Sequence, residues 1–312
     1  MNKDKRIYLL GPTATGKTEL VKYLNELFSI EIISVDSAQI YKNLDIGTAK
    51  PNRQDLIKTP HHLLDIRSPI ESYSVGEFKK DVDLILAKSL GTKKTPLLYG
   101  GTMMYFNSLV NPLNSLPIST LETKKKVNEE LNKFGIEFLF NKLESVDPVS
   151  SKKINSKDSQ RIQRALEVYY ISGKPLSTFY ENKKIVEPTY NLLKLGLFPD
   201  TREHLHFVIE ERVEYMLESG LIDEVRSILS SYPSLDDSYP SLKSVGYRQT
   251  YHYLKKQISK SELKNKIIFA TRQLAKRQMT WMRKMENLEK FDPFSDDLKL
   301  KVSNRVKLFL AN

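Results

Sequence analysis

The sequence predicts an α/β chain, a parallel sheet flanked by helices and carrying an inserted α-helical domain. Three observations predict it. Short apolar runs alternate with helically patterned segments through the first third of the chain. A glycine-bearing turn joins the first run to the first helix. A long stretch with helical character and no strand pattern then separates these runs from a later apolar one.

Taken in order, residues 6–10 form a short apolar run and read as a buried strand. Residues 18–28 read as a helix, with Leu20, Leu24, Leu27 and Phe28 on one face. Residues 30–35 are a second strand, ending at Asp36. Residues 74–90 place Phe78, Val82, Ile85 and Leu86 at helical spacing, and 95–99 form a third strand closed by Gly100-Gly101-Thr102. Strand, helix, strand, helix, strand is the pattern of a parallel sheet covered on both faces. Two prolines mark residues 111–120 as a boundary. Residues 121–143 and 158–172 are helical, the second with a basic face and ended by Gly173-Lys174-Pro175. A return strand is expected over 190–197. Residues 200–229 are helical, with Asp200 and Glu203 at capping-box spacing and Gly220 at a break. A last long helix is expected over 259–285. The expected organisation is a core at 1–113 and 189–312, the latter carrying a C-terminal basic helix, around a helical insertion at 114–188.

Composition narrows the function classes. No apolar run among the 312 residues approaches the ~20 that a membrane helix needs. The polar residues 1–6 show no signal peptide, and the absence of cysteine excludes disulfides, thiolate catalysis and cysteine-based zinc sites. A cytoplasmic protein is expected, and nothing demands more than a monomer. The one close histidine pair, His61-His62, points its side chains apart if extended. A net charge of +11 suits an anionic partner such as nucleic acid, or simply a lysine-rich solvated surface.

The sharpest signal is Gly11-Pro12-Thr13-Ala14-Thr15-Gly16-Lys17-Thr18, a P-loop between a strand and a helix. Its glycines let consecutive N–H groups turn inward around a phosphate, and the following helix N-terminus adds positive potential. Lys17 supplies a full charge and Thr18 a hydroxyl for Mg²⁺. The motif leaves open whether the ligand is ATP or another diphosphate ester. Asp36 ends the second strand, where open α/β sheets bind ligands. It suits a Mg²⁺ or water ligand, a general base, or a plain helix-capping turn residue. Thr102, after two glycines, suits either a substrate contact or a tight turn. Three basic clusters complete the picture. Gln160, Arg161 and Arg164 lie together on one predicted helix, and Lys243, Tyr247 and Arg248 frame Val245-Gly246. Arg272, Lys276, Met279 and Arg283 recur at helical spacing near Arg277 and Trp281. Guanidinium groups beside aromatics suit phosphate contact and base stacking.

With these residues the chain resembles the bacterial tRNA dimethylallyltransferases, the tRNA isopentenyltransferases. The matching stretches are GPTATGKT at 11–18, SVDSAQIY at 34–41, DIGTAKP at 45–51, HHLLDI at 61–66 and GGTMMYF at 100–106. They continue with QRIQRALEV at 160–168, SVGYRQ at 244–249 and TRQLAKRQMTWMR at 271–283. The resemblance implies transfer of a dimethylallyl group from dimethylallyl diphosphate to the exocyclic 6-amino group of the adenosine 3′ of the anticodon, in tRNAs reading codons that begin with U. It implies that the P-loop grips the donor's diphosphate without consuming ATP, with Mg²⁺ as cofactor, Asp36 as proton acceptor, and Lys17 and Thr18 in catalysis. Thr13 and Arg212 join the diphosphate site by the same resemblance, although Glu210, Glu211 and Glu214 are nearby ion-pair partners for Arg212. The implied tRNA contacts are Asp36, Ser37, Ala38, Gln39 and Thr102, then Gln160, Arg161 and Arg164. Lys243, Gly246, Tyr247 and Arg248 follow, then Lys276, Arg277, Gln278, Trp281 and Arg283. The insertion is implied to clasp the anticodon stem-loop. ENKKIVEPTY at 181–190 departs from the family pattern, and the zinc finger of the eukaryotic branch is absent. Three other readings remain at this stage: a prenyltransferase acting on free adenylate, a P-loop ATPase or small-molecule kinase, and a non-catalytic RNA-binding module.

Overall fold

The computed structural model describes residues 4–89, 91–111, 116–117, 119–181 and 190–311. The chain forms two compact units, one of Met1–Leu109 with Pro188–Asn312 and the other of Val110–Glu187. The expected insertion edges at 114 and 188 lie outside the described residues, as does most of the divergent 181–190 stretch.

The first segment of the larger unit runs β1 (Lys5–Leu10), α1 (Lys17–Leu27), β2 (Ile30–Val35), α2 (Arg53–Lys58), β3 (His61–His62), α3 (Val75–Ser89), β4 (Thr95–Gly100) and α4 (Met103–Val110). The smaller unit holds α5 (Leu121–Val146), α6 (Pro148–Ser151), α7 (Ser159–Ser172) and α8 (Thr178–Glu181). The larger unit resumes with β5 (Asn191–Leu197), α9 (Arg202–Glu218), α10 (Leu221–Ser231), α11 (Tyr247–Leu254), α12 (Lys260–Met282), β6 (Leu288–Phe291) and α13 (Leu298–Ala311).

The six strands form one sheet in the order β3-β2-β4-β1-β5-β6, with every pairing parallel. The apolar runs behave as expected of central parallel strands: the last four residues of β1, β2 and β4 are all buried. One core packs Ile7, Leu9, Leu97 and Leu195 of the sheet against Leu20, Val21 and Leu24 of α1 and Val302 and Val306 of α13. The smaller unit has its own core, where Val127, Leu139 and Leu143 meet Ile162 and Leu166.

Several elements differ from the sequence expectation. The helix expected over 121–143 is broken at Gly135, whose φ of 81° and ψ of 175° only glycine adopts readily, and it continues to Val146. The stretch 200–229 is two helices, divided at Gly220 with φ 98°. Its expected capping box does not form. Thr201 is the cap, so Asp200 lies outside the helix and Glu203 one position too early to bond back. A capping box does form at Ser259 and Glu262, and that helix ends at Met282 rather than 285. The helices α2, α4, α6, α8, α11 and α13 and the strands β3 and β6 were not anticipated.

Candidate active site

Because β4 lies between β2 and β1, three loops stand side by side at the carboxyl edge: the phosphate loop after β1, Asp36 after β2 and Gly100-Gly101-Thr102 after β4. They line one cavity of about 1760 Å³. The phosphate loop is held in shape by its own side chains. Thr15 Oγ1 donates to Pro12 O at 2.8 Å, and Lys17 Nζ donates to the same oxygen at 2.6 Å. Ala14 and Gly16 take φ of 65° and 67°, turning the backbone inward. The amides of Ala14, Thr15 and Gly16 donate to no described residue. A row of uncommitted N–H groups at a helix N-terminus is a ready anion site. A side chain on Gly11 would crowd Thr15 and Leu197, so the loop's first glycine is fixed by close approach.

Asp36 uses Oδ1 to accept from the amides of Ala38 and Gln39, at 2.8 and 3.1 Å. Its Oδ2 has no hydrogen bond to a described residue. The turn role and a role for the second oxygen therefore coexist. Thr102 Oγ1 accepts from Ser37 N at 3.0 Å, linking the loops after β2 and β4. Gly100 packs so closely on the Val35 carbonyl that a Cβ would overlap it.

The charges converge. Asp36 acts on both Lys17 and Arg212, and Arg212 acts on Lys17. Burial is the larger influence on Lys17 and pulls its pKa down to about 7, with Asp36 opposing and Arg212 adding to the fall. Arg212 is likewise lowered by burial and raised by Asp36. The neighbouring carboxylates do not claim Arg212: Glu210 pairs with Arg272, and Glu214 pairs with Lys264 at 2.7 Å. Two cations facing one carboxylate leave the cavity locally positive, which favours a polyanion.

The family model for IPP transferase matches residues 39–285. The chain belongs to the IPP transferase family. It is 43% identical over 304 residues to a tRNA dimethylallyltransferase of Legionella pneumophila, covering 97% of this chain and 96% of that one. It is 41% identical to a tRNA dimethylallyltransferase of Methylobacillus flagellatus, covering 100% and 99%. Among solved structures it resembles the tRNA isopentenylpyrophosphate transferase of Bacillus halodurans, with TM-score 0.71, 31% identity and coverage of 99% and 97%. A eukaryotic dimethylallyltransferase acting on tRNA gives TM-score 0.84 at 26% identity, covering 99% of this chain and 80% of that one.

Within this IPP transferase, the expected RNA-facing residues sort by exposure and by whether they line the cavity. Ser37, Thr102, Lys243, Arg277 and Trp281 line the cavity and keep exposed or half-exposed side chains. Arg248, Lys276 and Arg283 are exposed outside the cavity lining, and Gln160 and Arg161 are exposed on the smaller unit. Asp36, Ala38 and Gly246 also line the cavity, while Tyr247, Gln278, Gln39 and Arg164 have side-chain polar groups engaged within the protein. Tyr247 is 0% exposed; its hydroxyl donates to Glu224 at 2.5 Å and accepts from Gly47 N at 3.1 Å. Gln278 is buried and accepts from Thr13 N at 2.9 Å while donating to Gly101 O at 2.9 Å, tying the phosphate loop to the loop after β4. Gln39 donates to Thr48 O at 3.2 Å and accepts from Ser34 Oγ at 3.2 Å. Arg164 donates to Pro117 O at 2.9 Å and to Ser119 Oγ, which holds the chain ahead of α5. Gly246, with φ 92°, turns the backbone into α11 beside the cavity.

Two IPP transferase residues escaped the sequence reading. Glu224 accepts from the amides of Asp45 and Ile46 at 3.1 and 2.8 Å. Lys50, with a side chain 3% exposed, bridges Asp45 and Asp65 at 2.6 Å each and donates to Tyr41 O at 2.9 Å. Both fix the DIGTAKP loop that floors the cavity.

Proposed function

We propose that this chain is a tRNA dimethylallyltransferase. It takes dimethylallyl diphosphate as donor and alkylates the exocyclic 6-amino group of the adenosine 3′ of the anticodon, in tRNAs reading codons that begin with U. The observation that carries this reading is the shared cavity: a phosphate loop with uncommitted amides, two facing cations and a carboxylate with one unbonded oxygen. A kinase or ATPase reading accounts for the loop but not for the basic and aromatic rim of Lys243, Arg277 and Trp281.

In the reaction the adenine nitrogen bonds to the first carbon of the allyl group as the carbon–oxygen bond to diphosphate breaks. The amine is a poor nucleophile because its lone pair is delocalised into the ring. Asp36 Oδ2 accepts its proton as the new bond forms. The departing diphosphate gathers negative charge, and the loop amides, Lys17 and Arg212 stabilise it where it develops. Val208, Met216, Ile267 and Leu274 give the cavity apolar surface suited to a five-carbon tail. The adenosine must leave the base stack to enter, and Trp281 at the rim suits an extruded base.

Mg²⁺ fits the donor chemistry. Among the described residues no three His, Cys, Asp or Glu side chains converge to form a protein cage. The Thr18 hydroxyl lines the cavity beside the phosphate loop and would serve an ion that keeps water and substrate phosphates as its other ligands. When bound, Mg²⁺ neutralises charge on the diphosphate.

The test is a transfer assay with Mg²⁺, labelled dimethylallyl diphosphate and either unmodified tRNA or free AMP, with and without ATP. Label in tRNA without need of ATP is the expected result. Label in AMP would assign the chain to free-adenylate prenylation, and ATP hydrolysis without label would make it an ATPase.

A further inference from the structure

Tyr99 has no role in the reaction as described, yet its hydroxyl is the unmatched polar group nearest in sequence to the glycines after β4. The ring is 2% exposed, and the oxygen has no hydrogen-bond partner among the described residues. It is not an ordinary core tyrosine, because it lines the active-site cavity. Its register neighbours on the flanking strands are Leu9 and Ser34. The hydroxyls of Ser34 and Thr18 approach its oxygen as donors, favouring the deprotonated form, and the carboxylate of Asp36 opposes them. None of these is a committed acceptor for its proton, and Ser34 Oγ already donates to Gln39 at 3.2 Å. The ring is fixed in place. His61 meets it edge-on at 5.4 Å, and His61 Nδ1 donates to Thr59 O at 2.5 Å. Burial, with Asp36 adding to it, pushes the phenol pKa well up, so the group is a neutral donor at any working pH.

A buried donor without an acceptor needs an explanation, and a ligand that completes it is one. A neutral O–H beside a phosphate loop fits an anionic oxygen. We propose that the Tyr99 hydroxyl donates to an oxygen of the diphosphate beside Thr18, making Tyr99 a further donor-substrate contact. This rests on the prenyl-transfer reading only through the identity of the diphosphate ester. The site chemistry itself can be tested with inorganic pyrophosphate.

The experiment measures Mg²⁺–pyrophosphate binding by calorimetry for the wild type, Tyr99→Phe, Tyr99→Met and Lys17→Ala, with donor kinetics at saturating tRNA alongside. Loss of a hydrogen bond to a charged oxygen is expected to weaken binding about ten- to a hundredfold in both Tyr99 variants. The Tyr99→Phe protein should keep a melting temperature at or above wild type, since an unpaired hydroxyl is removed. Wild-type affinity in both Tyr99 variants, with binding lost in Lys17→Ala, would overturn the Tyr99 contact and leave the phosphate-loop reading standing. In that case a trapped water satisfies the hydroxyl. No pyrophosphate binding by the wild type would overturn both.

Discussion

Asp36 divides its two oxygens between structure and chemistry, which makes its substitutions separable. Asparagine keeps an oxygen for the amides of Ala38 and Gln39, so the turn survives while the proton acceptor is lost. Asp36→Asn is expected to cut single-turnover rates by about two to four orders of magnitude with tRNA affinity near wild type. A rate within threefold of wild type would remove Asp36 from that role. Lys17 makes a pH prediction. Its native pKa is near 7 and its ordinary value 10.5, so between them the unfolded chain holds a proton that the native chain has released. Stability therefore rises with pH across that window, and the penalty of the buried charge is fully present below about pH 7. Lys17→Met should lack this rise, which urea titrations of both proteins from pH 6 to 10 will show. Pyrophosphate binding at pH 8 should draw a proton onto Lys17, seen as buffer-dependent heat that Lys17→Ala loses.

At the scale of elements, the site is a set of loops pinned from behind. Glu224 at the start of α10 and Tyr247 at the start of α11 hold residues 45–47, and Gln278 of α12 joins the loops after β1 and β4. Glu224→Ala strands several amides and the Tyr247 hydroxyl at once, and should cost about 2–3 kcal/mol in chemical denaturation. Gln278→Leu should lower kcat more than it lowers stability, because what it loses is loop alignment; an unchanged kcat would refute that. These couplings explain what was legible in the sequence. The phosphate loop is contiguous and its chemistry is local, so eight residues suffice to read it. Asp36 was found because it directly follows an apolar strand, and Thr102 because it closes the glycine turn after another. Glu224 and the burial of Tyr247 were not, because their partners in the 45–47 loop lie far away in sequence; Lys50 was not, because its surroundings read as an exposed polar loop. The two-residue strand β3 is too short to show any period. The break at Gly135 was read through because an isolated glycine inside a helical pattern is often tolerated, although its own propensity favours a break.

For the molecule as a whole, the net charge of +11 predicts that tRNA affinity falls steeply with salt as counterions are released. Replacing exposed Lys276, Arg277 and Arg283 with glutamine should flatten the log–log salt dependence by about one unit per phosphate contact removed. An unchanged slope would show that this cluster faces solvent alone. Arg164→Gln should behave differently and lower the stability of the smaller unit, since its guanidinium is engaged with Pro117 and Ser119. The sequence showed where basic residues cluster; only the packing separated those that face outward from those tied inward.

The position of β1 has a consequence for how the protein is made. This strand is translated before the other five of the sheet, yet one of its two neighbours is β5, from beyond the insertion, and Val302 and Val306 of α13 complete the core around it. A ribosome adding about 5–20 residues per second takes roughly 15–60 s to travel from β1 to α13. Until β5 is made β1 keeps an open edge, and until α13 is made one face of its core stays uncovered, while the insertion can close a core of its own. Synthesis halted before α13 would thus leave a native-like insertion attached to a sticky, unfinished sheet, a natural client for chaperones.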